Sequence, residues 1–474
     1  MNVNNTQGGG SDGAKGSNDK KGRAMSGLTT TQRVAPGLFG LARLHAIAKQ
    51  DRSLRFNNLL HHITQKSLVE AYKNLNQKSA RGVDGESWTD FGKDLQNRIQ
   101  DLHKRIHTQK YKPQAVRRIW LTKPNGEKRP IGVTAVEDKV VQQALVWVLE
   151  NIYEADFLGF SYGFRPGRSQ HMALDAVFVA ISQKKVNWVL DADISKFFDT
   201  IDHNWLMRFL QHRIADKRVL HLIQIIIKAG VLDKNRYTKT VVGTPQGAVL
   251  SPLLANIYLH YVLDLWVNQW RKKNARGECY IIRYADDTVL GFQNRLDGNY
   301  FKESLEKRLE QFGLSLNSEK TRLLEFGRFA YRDRKRRKQD NKPETFDFLG
   351  FTHICSTRRS DGGFMIKRFT VAKKLKAKAK EIRQQLLTHR NKDIYVQGRW
   401  LKSVVTGHNN YFAVPGNINA LNQFRVEICR TWLRALRRRG QRHPISWKKL
   451  NKLIKIFIPN AKILHPYPDK RLRV

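Results

Sequence analysis

The window Tyr280–Phe292, Tyr-Ile-Ile-Arg-Tyr-Ala-Asp-Asp-Thr-Val-Leu-Gly-Phe, constrains this chain more than any other stretch. Ile281-Ile282 and Val289-Leu290 are apolar enough to form two short strands, which puts Asp286 and Asp287 at the turn between them. Two adjacent carboxylates at a hairpin tip repel each other, and half-buried they resist ionisation. A hard divalent cation such as Mg²⁺ removes that cost, because it prefers oxygen ligands and keeps room in its shell for water and substrate phosphates. An Asp-Asp turn on a wet surface needs no such partner, so the window alone leaves both readings open.

A phosphoryl-transfer site needs carboxylates from more than one segment, because it holds two ions roughly 3.5–4 Å apart. A second segment lies upstream, in Asn187–Asp202. There the apolar strand Trp188–Leu190 runs into Asp191-Ala192-Asp193, and period-two alternation puts Asp191 and Asp193 on one face. Asp193-Ile194, Phe197-Phe198-Asp199, Gly243-Thr-Pro-Gln-Gly-Ala-Val-Leu-Ser-Pro252 and Tyr284-Ala-Asp-Asp287 follow one another in an order that resembles the reverse transcriptases. The closest likeness is to the group II intron-encoded reverse transcriptase/maturases. Phe164-Arg-Pro-Gly-Arg-Ser169, the stretch Gly407–Gly416 around Tyr411-Phe412, and Leu464-His-Pro-Tyr-Pro468 carry the same likeness, which spans roughly residues 50–470.

Charge points the same way. The net charge is +45, from 86 Lys and Arg against 41 Asp and Glu. Such a surplus repels itself in a compact fold unless a polyanion neutralises it. Nucleic acid is the natural partner, bound through its phosphates with release of counterions. A membrane surface is the rival reading, but no apolar run approaches the ~18–20 residues that span a bilayer. No signal-peptide pattern opens the chain. Cys279, Cys355 and Cys429 are far apart, show no metal spacing and fit a reducing cytoplasm. The expected location is cytoplasmic, in a bacterium and associated with the nucleoid.

Composition divides the chain. Residues 1–27, rich in Gly, Ser, Asn and Lys, read as a disordered tail. Residues 28–110 read as an N-terminal helical extension, with Leu41, Leu44, Ile47 and Ala48 as an apolar stripe. A loop is expected at Ser79–Gly85, then strands at Arg117–Leu121 and Ile131–Val133 joined by a turn at Lys123–Gly126. Helices are expected at 137–155, 169–184 and 203–229. The run Tyr331–Lys342 is too charged for a core and reads as a solvated loop, followed by an apolar knot at Phe346–Phe351. Residues 371–474 hold 25 Lys or Arg against 4 Asp or Glu, interleaved with Trp400, Tyr411, Phe412, Phe424, Trp432 and Trp447. That pattern suits a helical bundle with an aromatic inside and a basic outside that faces nucleic acid.

The resemblance turns these segments into an α+β right-hand polymerase. Fingers and palm would occupy 111–350, and a helical thumb with a basic DNA- and RNA-binding maturase segment would occupy 351–474. It implies that Asp193, Asp286 and Asp287, with the Ile194 main-chain carbonyl, hold two Mg²⁺ ions. It implies that Lys123 and Arg129 grip the dNTP triphosphate. Phe198 would lie beneath the incoming sugar and exclude a 2′-hydroxyl, while Phe197 belongs to the core. Gln246 would bond near the ribose, and Lys320 would protonate the leaving pyrophosphate. Arg165 and Arg168 would contact template phosphates, and Arg437, Arg438 and Arg439 structured RNA.

The implied partners are group II intron RNA, target DNA, a primer–template and dNTPs, with no membrane. The implied function is RNA-dependent DNA polymerase and splicing cofactor, of the short class without an endonuclease, since no Cys-x-x-Cys pair occurs. Two alternatives stand beside it. One is a domesticated reverse transcriptase in phage defence or beside a CRISPR array. The other is an RNA-binding splicing scaffold with a dead polymerase fold, against which the three intact aspartates argue.

Overall fold

The structure, a computed structural model, describes residues 39–122, 126, 128–234, 236–337, 342–358, 360–439 and 445–471. The expected tail at 1–27 lies outside the described residues. Eleven strands are seen among those described: β1 (Val116–Thr122), β2 (Lys128–Val133), β3 (Trp188–Ala192), β4 (Val231–Asp233), β5 (Arg236–Thr238), β6 (Cys279–Tyr284), β7 (Asp287–Phe292), β8 (Arg322–Glu325), β9 (Phe346–Phe348), β10 (Phe351–Thr357) and β11 (Phe364–Thr370). They form three sheets, ordered β2-β1-β4-β5, β6-β7-β3-β8 and β11-β10-β9.

The antiparallel sheet β6-β7-β3-β8 is the centre of the molecule. Its strands read as unbroken apolar runs because both faces are covered. Leu190, Ile281 and Leu290 point into one hydrophobic core, which also contains the helix Val136–Tyr153. Val189, Ile282 and Val289 point into a second, shared with the helix Gln170–Gln183 and with Phe346, Phe348 and Phe351 of the expected apolar knot. Val136–Tyr153 is buried nearly all round, as a helix without a polar face must be.

Two expectations give way. The span 203–229 is two helices, His203–Gln211 and Lys217–Ile227. Asp216 breaks it: its carboxylate accepts from Arg218 N and from Leu59 N and Leu60 N, so it caps the second helix and ties down an N-terminal segment. The charged run after residue 330 is, where it is described, a helix, Ala330–Arg336, and not a loop. Arg334 and Arg337 both pair with Glu325 of β8, while Arg332, Lys335 and Arg336 stay exposed, so the run is solvated as expected but helical and anchored.

Beyond β11 four helices, Ala372–Thr388, Ile394–Phe412, Ile418–Arg437 and Trp447–Phe457, pack into a bundle around Leu386, Leu401, Phe424 and Trp432. Trp432 Nε1 donates to Gln397 Oε1 at 3.1 Å. The aromatics divide: Tyr411 and Phe412 leave the bundle and pack on Phe351 in the second core, and Trp447 is largely exposed. The chain then turns back. Leu464 N and His465 N bond Ala413 O, and the short helix Pro468–Arg471 lies against Gln170–Gln183. Asp175, wholly buried in that helix, accepts from Arg471 Nε at 2.5 Å and from Arg368 Nη1 of β11 at 3.1 Å. No helix among the described residues is long and apolar enough to cross a membrane.

Candidate active site

Strand register assembles the site. β3 pairs with β7 so that Asp191 faces Val289 and Ala192 faces Thr288. The next position along each strand is Asp193 and Asp287, which therefore arrive abreast on one face. β6 pairs with β7 down to Tyr284 and Asp287, leaving Ala285-Asp286 as the turn. This is the hairpin read from the sequence, and it sets Asp286 and Asp287 beside Asp193.

The turn is held under constraint. Ala285 has φ 57°, a left-handed conformation that L-residues rarely adopt. Arg283 Nη1 donates to Ala285 O at 2.9 Å and to Asn256 Oδ1 at 3.0 Å. Its Nε and Nη2 grip Asp264 at 2.7 and 2.5 Å, and Nη2 also reaches Ser161 Oγ at 2.7 Å. Arg283 and Asp264 are completely buried. Outside β6 the segment Phe160–Phe164 lies alongside, with Tyr162 N on Arg283 O. A Cβ on Gly163 would stand 2.3 Å from Ala285 N, so only glycine lets this segment approach the turn.

This clamp is the part that sequence reasoning missed. Its signal was present: Arg283 sits in an apolar strand and Asp264 in an apolar helix, and buried charges come in pairs. Asp264 is delivered by a one-turn π-helix, His260–Asp264.

Electrostatics mark the carboxylates as a strained group. Asp287 is open to water on one side and crowded by protein on the other, as at the floor of a cleft. That crowding, then Asp286 and Asp193, push its pKa up to about 6, against Lys374 and Lys320. Asp286 is raised by burial and by Asp193, with Arg129 and Arg283 pulling the other way. Asp191 joins them as a fourth acid: burial and Asp287 lift it to about 7. Among the described residues no three His, Cys, Asp or Glu side chains close into a metal shell. What the strands present is an all-oxygen donor set whose members oppose one another's ionisation, which suits a hard divalent cation.

The other expected residues fall as follows. Lys320 Nζ pairs with Asp193 Oδ2 at 2.9 Å, and Asn317 N bonds Asp193 O, so the turn 317–321 is docked on the carboxylate. Ile194 is buried and bridges to Leu316. Phe197 is in the core, while Phe198 is only partly covered. Phe198 O accepts from Thr244 N, which joins it to the Gly243–Gly247 loop. That loop also meets the β1–β2 hairpin. Arg129 Nε donates to Gln246 Oε1 at 2.8 Å, Gly132 N bonds Gln246 O, and a Cβ on Gly247 would stand 2.6 Å from Gly132 O. Arg129 also acts on Asp286, so the β1–β2 hairpin, the Gly243–Gly247 loop and Phe198 are linked to the neighbourhood of the carboxylates. Lys123 lies outside the described residues.

Arg165 is a correction. It is buried, binds the Glu154 carboxylate and donates to Leu158 O and Ser161 O, so it holds its own loop and has no face left for phosphate. Arg168 is half-exposed and lies over the Tyr162 ring. Arg437, Arg438 and Arg439 are exposed at the end of a bundle helix. Arg437 Nε bonds Ile445 O and Arg439 Nη2 bonds Lys392 O, so two of the three also brace the bundle.

Comparison with known proteins agrees with this geometry. Residues 121–353 match the family Reverse transcriptase (RNA-dependent DNA polymerase). The chain is 35% identical over 320 residues to Protein YkfC of Escherichia coli, covering 59% of this chain and 83% of that one. It is 39% identical over 207 residues to the Group II intron-encoded protein LtrA of Lactococcus lactis, covering 43% of this chain but only 34% of LtrA. It is also 34% identical over 92 residues to the mitochondrial Nuclear intron maturase 1 of Arabidopsis thaliana, which covers 19% of this chain and 13% of that protein. With its aspartates in register, its clamped turn and these relatives, the chain belongs to the reverse transcriptase family of RNA-dependent DNA polymerases, among the group II intron-encoded reverse transcriptase/maturases.

Proposed function

We propose that this chain copies group II intron RNA into DNA in the cleft that bears Asp193, Asp286 and Asp287, and assists the splicing of that RNA through its basic surface. The observation that carries the reading is the register that sets Asp193 abreast of Asp287 with Asp286 at the adjoining turn. In this reading the molecule is a right-hand polymerase. The central sheet is the palm, the β2-β1-β4-β5 sheet belongs to the fingers, and the four-helix bundle is the thumb.

Asp193, Asp286 and Asp287, with the Ile194 carbonyl, would hold Mg²⁺, which when bound stabilises charge on the transferring phosphoryl group and makes the primer 3′-hydroxyl more acidic. The protein's own side chains do the rest. Arg129 leaves Gln246 to grip triphosphate oxygens, a task suited to its planar fork. Gln246, once released, turns its amide to the sugar. Phe198 fills the space a 2′-hydroxyl would need. Lys320, already beside Asp193, donates a proton to the departing pyrophosphate. Support for intron RNA as the template comes from the intron-encoded relatives and from a bundle whose surface is almost free of acids.

The test is primer extension on an RNA template. The Asp286→Asn/Asp287→Asn double variant should lose DNA synthesis and keep RNA affinity. Robust extension by that variant would remove the assignment. Excision of the flanking intron from precursor RNA at low Mg²⁺, with and without protein, tests the splicing role separately.

A further inference from the structure

A cavity of about 830 Å³ opens behind the palm, on the far side from the carboxylates. An aromatic layer separates the two. Phe198 touches Phe197, Phe197 touches Tyr258, Tyr258 touches Phe209, and Phe209 lines the cavity. The volume lies within the roughly 300–1,000 Å³ typical of ligand pockets.

Its wall is a run of stacked rings. Trp205 stacks on Phe209 with centroids 5.8 Å apart, Phe209 on Tyr261 at 5.1 Å, and Tyr261 on His212 at 5.1 Å. Its rim is cationic, with Arg52 and Arg55 on one side and Arg208, over the Trp205 ring, on the other. The rim is fixed in place. Arg55 Nε bonds Gln211 O, Arg213 donates to Ala48 O and Asp51 O, and Phe56 bridges to Ile214.

Beneath the wall lies a polar layer that is only partly satisfied. Asp156, Arg213 and His260 are 9%, 2% and 3% exposed. Asp156 Oδ1, Arg213 Nε and His260 Nδ1 have no hydrogen-bond partner, although Arg213 and Asp156 form an ion pair at 3.2 Å. Buried donors and acceptors are costly to leave unmade, and Asp156 Oδ1 and His260 Nδ1 lie just beneath the cavity wall.

We propose that this cavity receives one unpaired RNA nucleotide, its base against the Trp205–Tyr261 wall and its phosphate at Arg52, Arg55 and Arg208. Aromatic platforms beside cations are how proteins hold single-stranded nucleic acid, since every base has a π-face. A duplex offers phosphates but no base that can enter a cavity. The site would anchor a looped or bulged nucleotide of the bound RNA at a distance from synthesis, and it rests on the reading of the chain as an RNA-binding polymerase.

The experiment uses the full chain and two fluorescein-labelled hairpin RNAs, identical except that one carries a three-nucleotide bulge. The wild type should bind the bulged hairpin about tenfold or more tightly, the scale of one stacked base. Arg52→Glu/Arg208→Glu, both exposed and remote from the carboxylates, should erase that preference and leave extension on a saturating primer–template unchanged. In the wild type, 4-thiouridine in the bulge should crosslink to peptides containing residues 203–213 or 52–56, a readout that needs no variant to fold. Equal affinity for the two hairpins, a preference that survives the double substitution, or crosslinks mapping elsewhere would overturn the proposal. Displacement of the bulged RNA by free AMP at comparable concentration would assign the cavity to a free nucleotide instead. Failure of the wild type to bind either RNA or extend a primer would count against the polymerase reading, a result distinct from all of these.

Discussion

Asp264→Asn tests whether the buried clamp, rather than the aspartates alone, makes the site. Arg283 and Asp264 are fully buried, and the guanidinium makes five hydrogen bonds: two to Asp264, and one each to Ser161 Oγ, Asn256 Oδ1 and Ala285 O. Asparagine keeps the volume and removes the charge, leaving Arg283 uncompensated. Breaking one side of a buried pair costs roughly 3–5 kcal/mol, a large part of the ~5–15 kcal/mol that keeps a domain folded. Holding Ala285 left-handed costs on the order of a further 1–3 kcal/mol, which the surrounding structure must supply. The variant should therefore unfold at markedly lower urea and lose extension more than tenfold at temperatures where it is still folded. Replacing both partners with apolar residues, Arg283→Met/Asp264→Leu, should restore most of the stability, as such replacements often do. It should not restore extension, because nothing then holds the Ala285 carbonyl. A variant Asp264→Asn within about 1 kcal/mol of the parent and fully active would refute this account of the turn.

Carboxylates with raised pKa bind protons in the folded state that the unfolded chain has lost, so they destabilise the fold progressively as pH rises from about 4 through 6 (Asp287) and 7 (Asp191). Melting temperature without divalent cation should fall over that window, the fall should be smaller in Asp191→Asn/Asp287→Asn, and Mg²⁺ should raise Tm more at pH 8 than at pH 5.5; an equal gain at both would show that the cation binds elsewhere. Phe198→Ala should lower discrimination against ribonucleotides by about tenfold, the scale at which a pocket rejects one small group, with a modest change in dNTP KM; unchanged discrimination places the gate on another residue. The Arg438 side chain is exposed and shows no hydrogen bond or ion pair among the described residues, so Arg438→Gln should reduce the log–log salt slope of RNA binding by about 0.9 and leave Tm alone. Arg437→Gln/Arg439→Gln should lower Tm as well, because both brace the bundle.

The hairpin, its carboxylates and the strand that leads into Asp193 were legible because each is local, whereas their pairing into one sheet, and β8, join distant segments. Alternation and apolar runs fix the strands, and two Asp in a turn need a reason. The clamp was not legible, because Arg283, Asp264, Asn256 and Ser161 meet only when distant segments pack. Arg165 misled for the same cause: its partner Glu154 lies on a neighbouring turn, and an arginine beside Pro-Gly reads as exposed until that loop folds inward. The helix break at Asp216 depended on Leu59 and Leu60, more than 150 residues upstream, whose amides its carboxylate also caps.

The sharing of Asp175 between Arg368 and Arg471 bears on how the molecule is born. The two arginines lie 193 and 296 residues downstream of the carboxylate. At ~5–20 residues per second of synthesis, the second arginine leaves the ribosome on the order of 15–60 s after Asp175. Until Arg368 emerges, about 10–40 s after Asp175 at that rate, the helix that covers the catalytic sheet carries an acid that must not be buried unpaired, and one of its two oxygens waits longer still for Arg471. The nascent chain therefore cannot seal its polymerase face early. Arg368 can begin the sealing before the bundle is made, and Arg471 completes it once the basic bundle has emerged, so the final locking of this face and the basic surface arrive together.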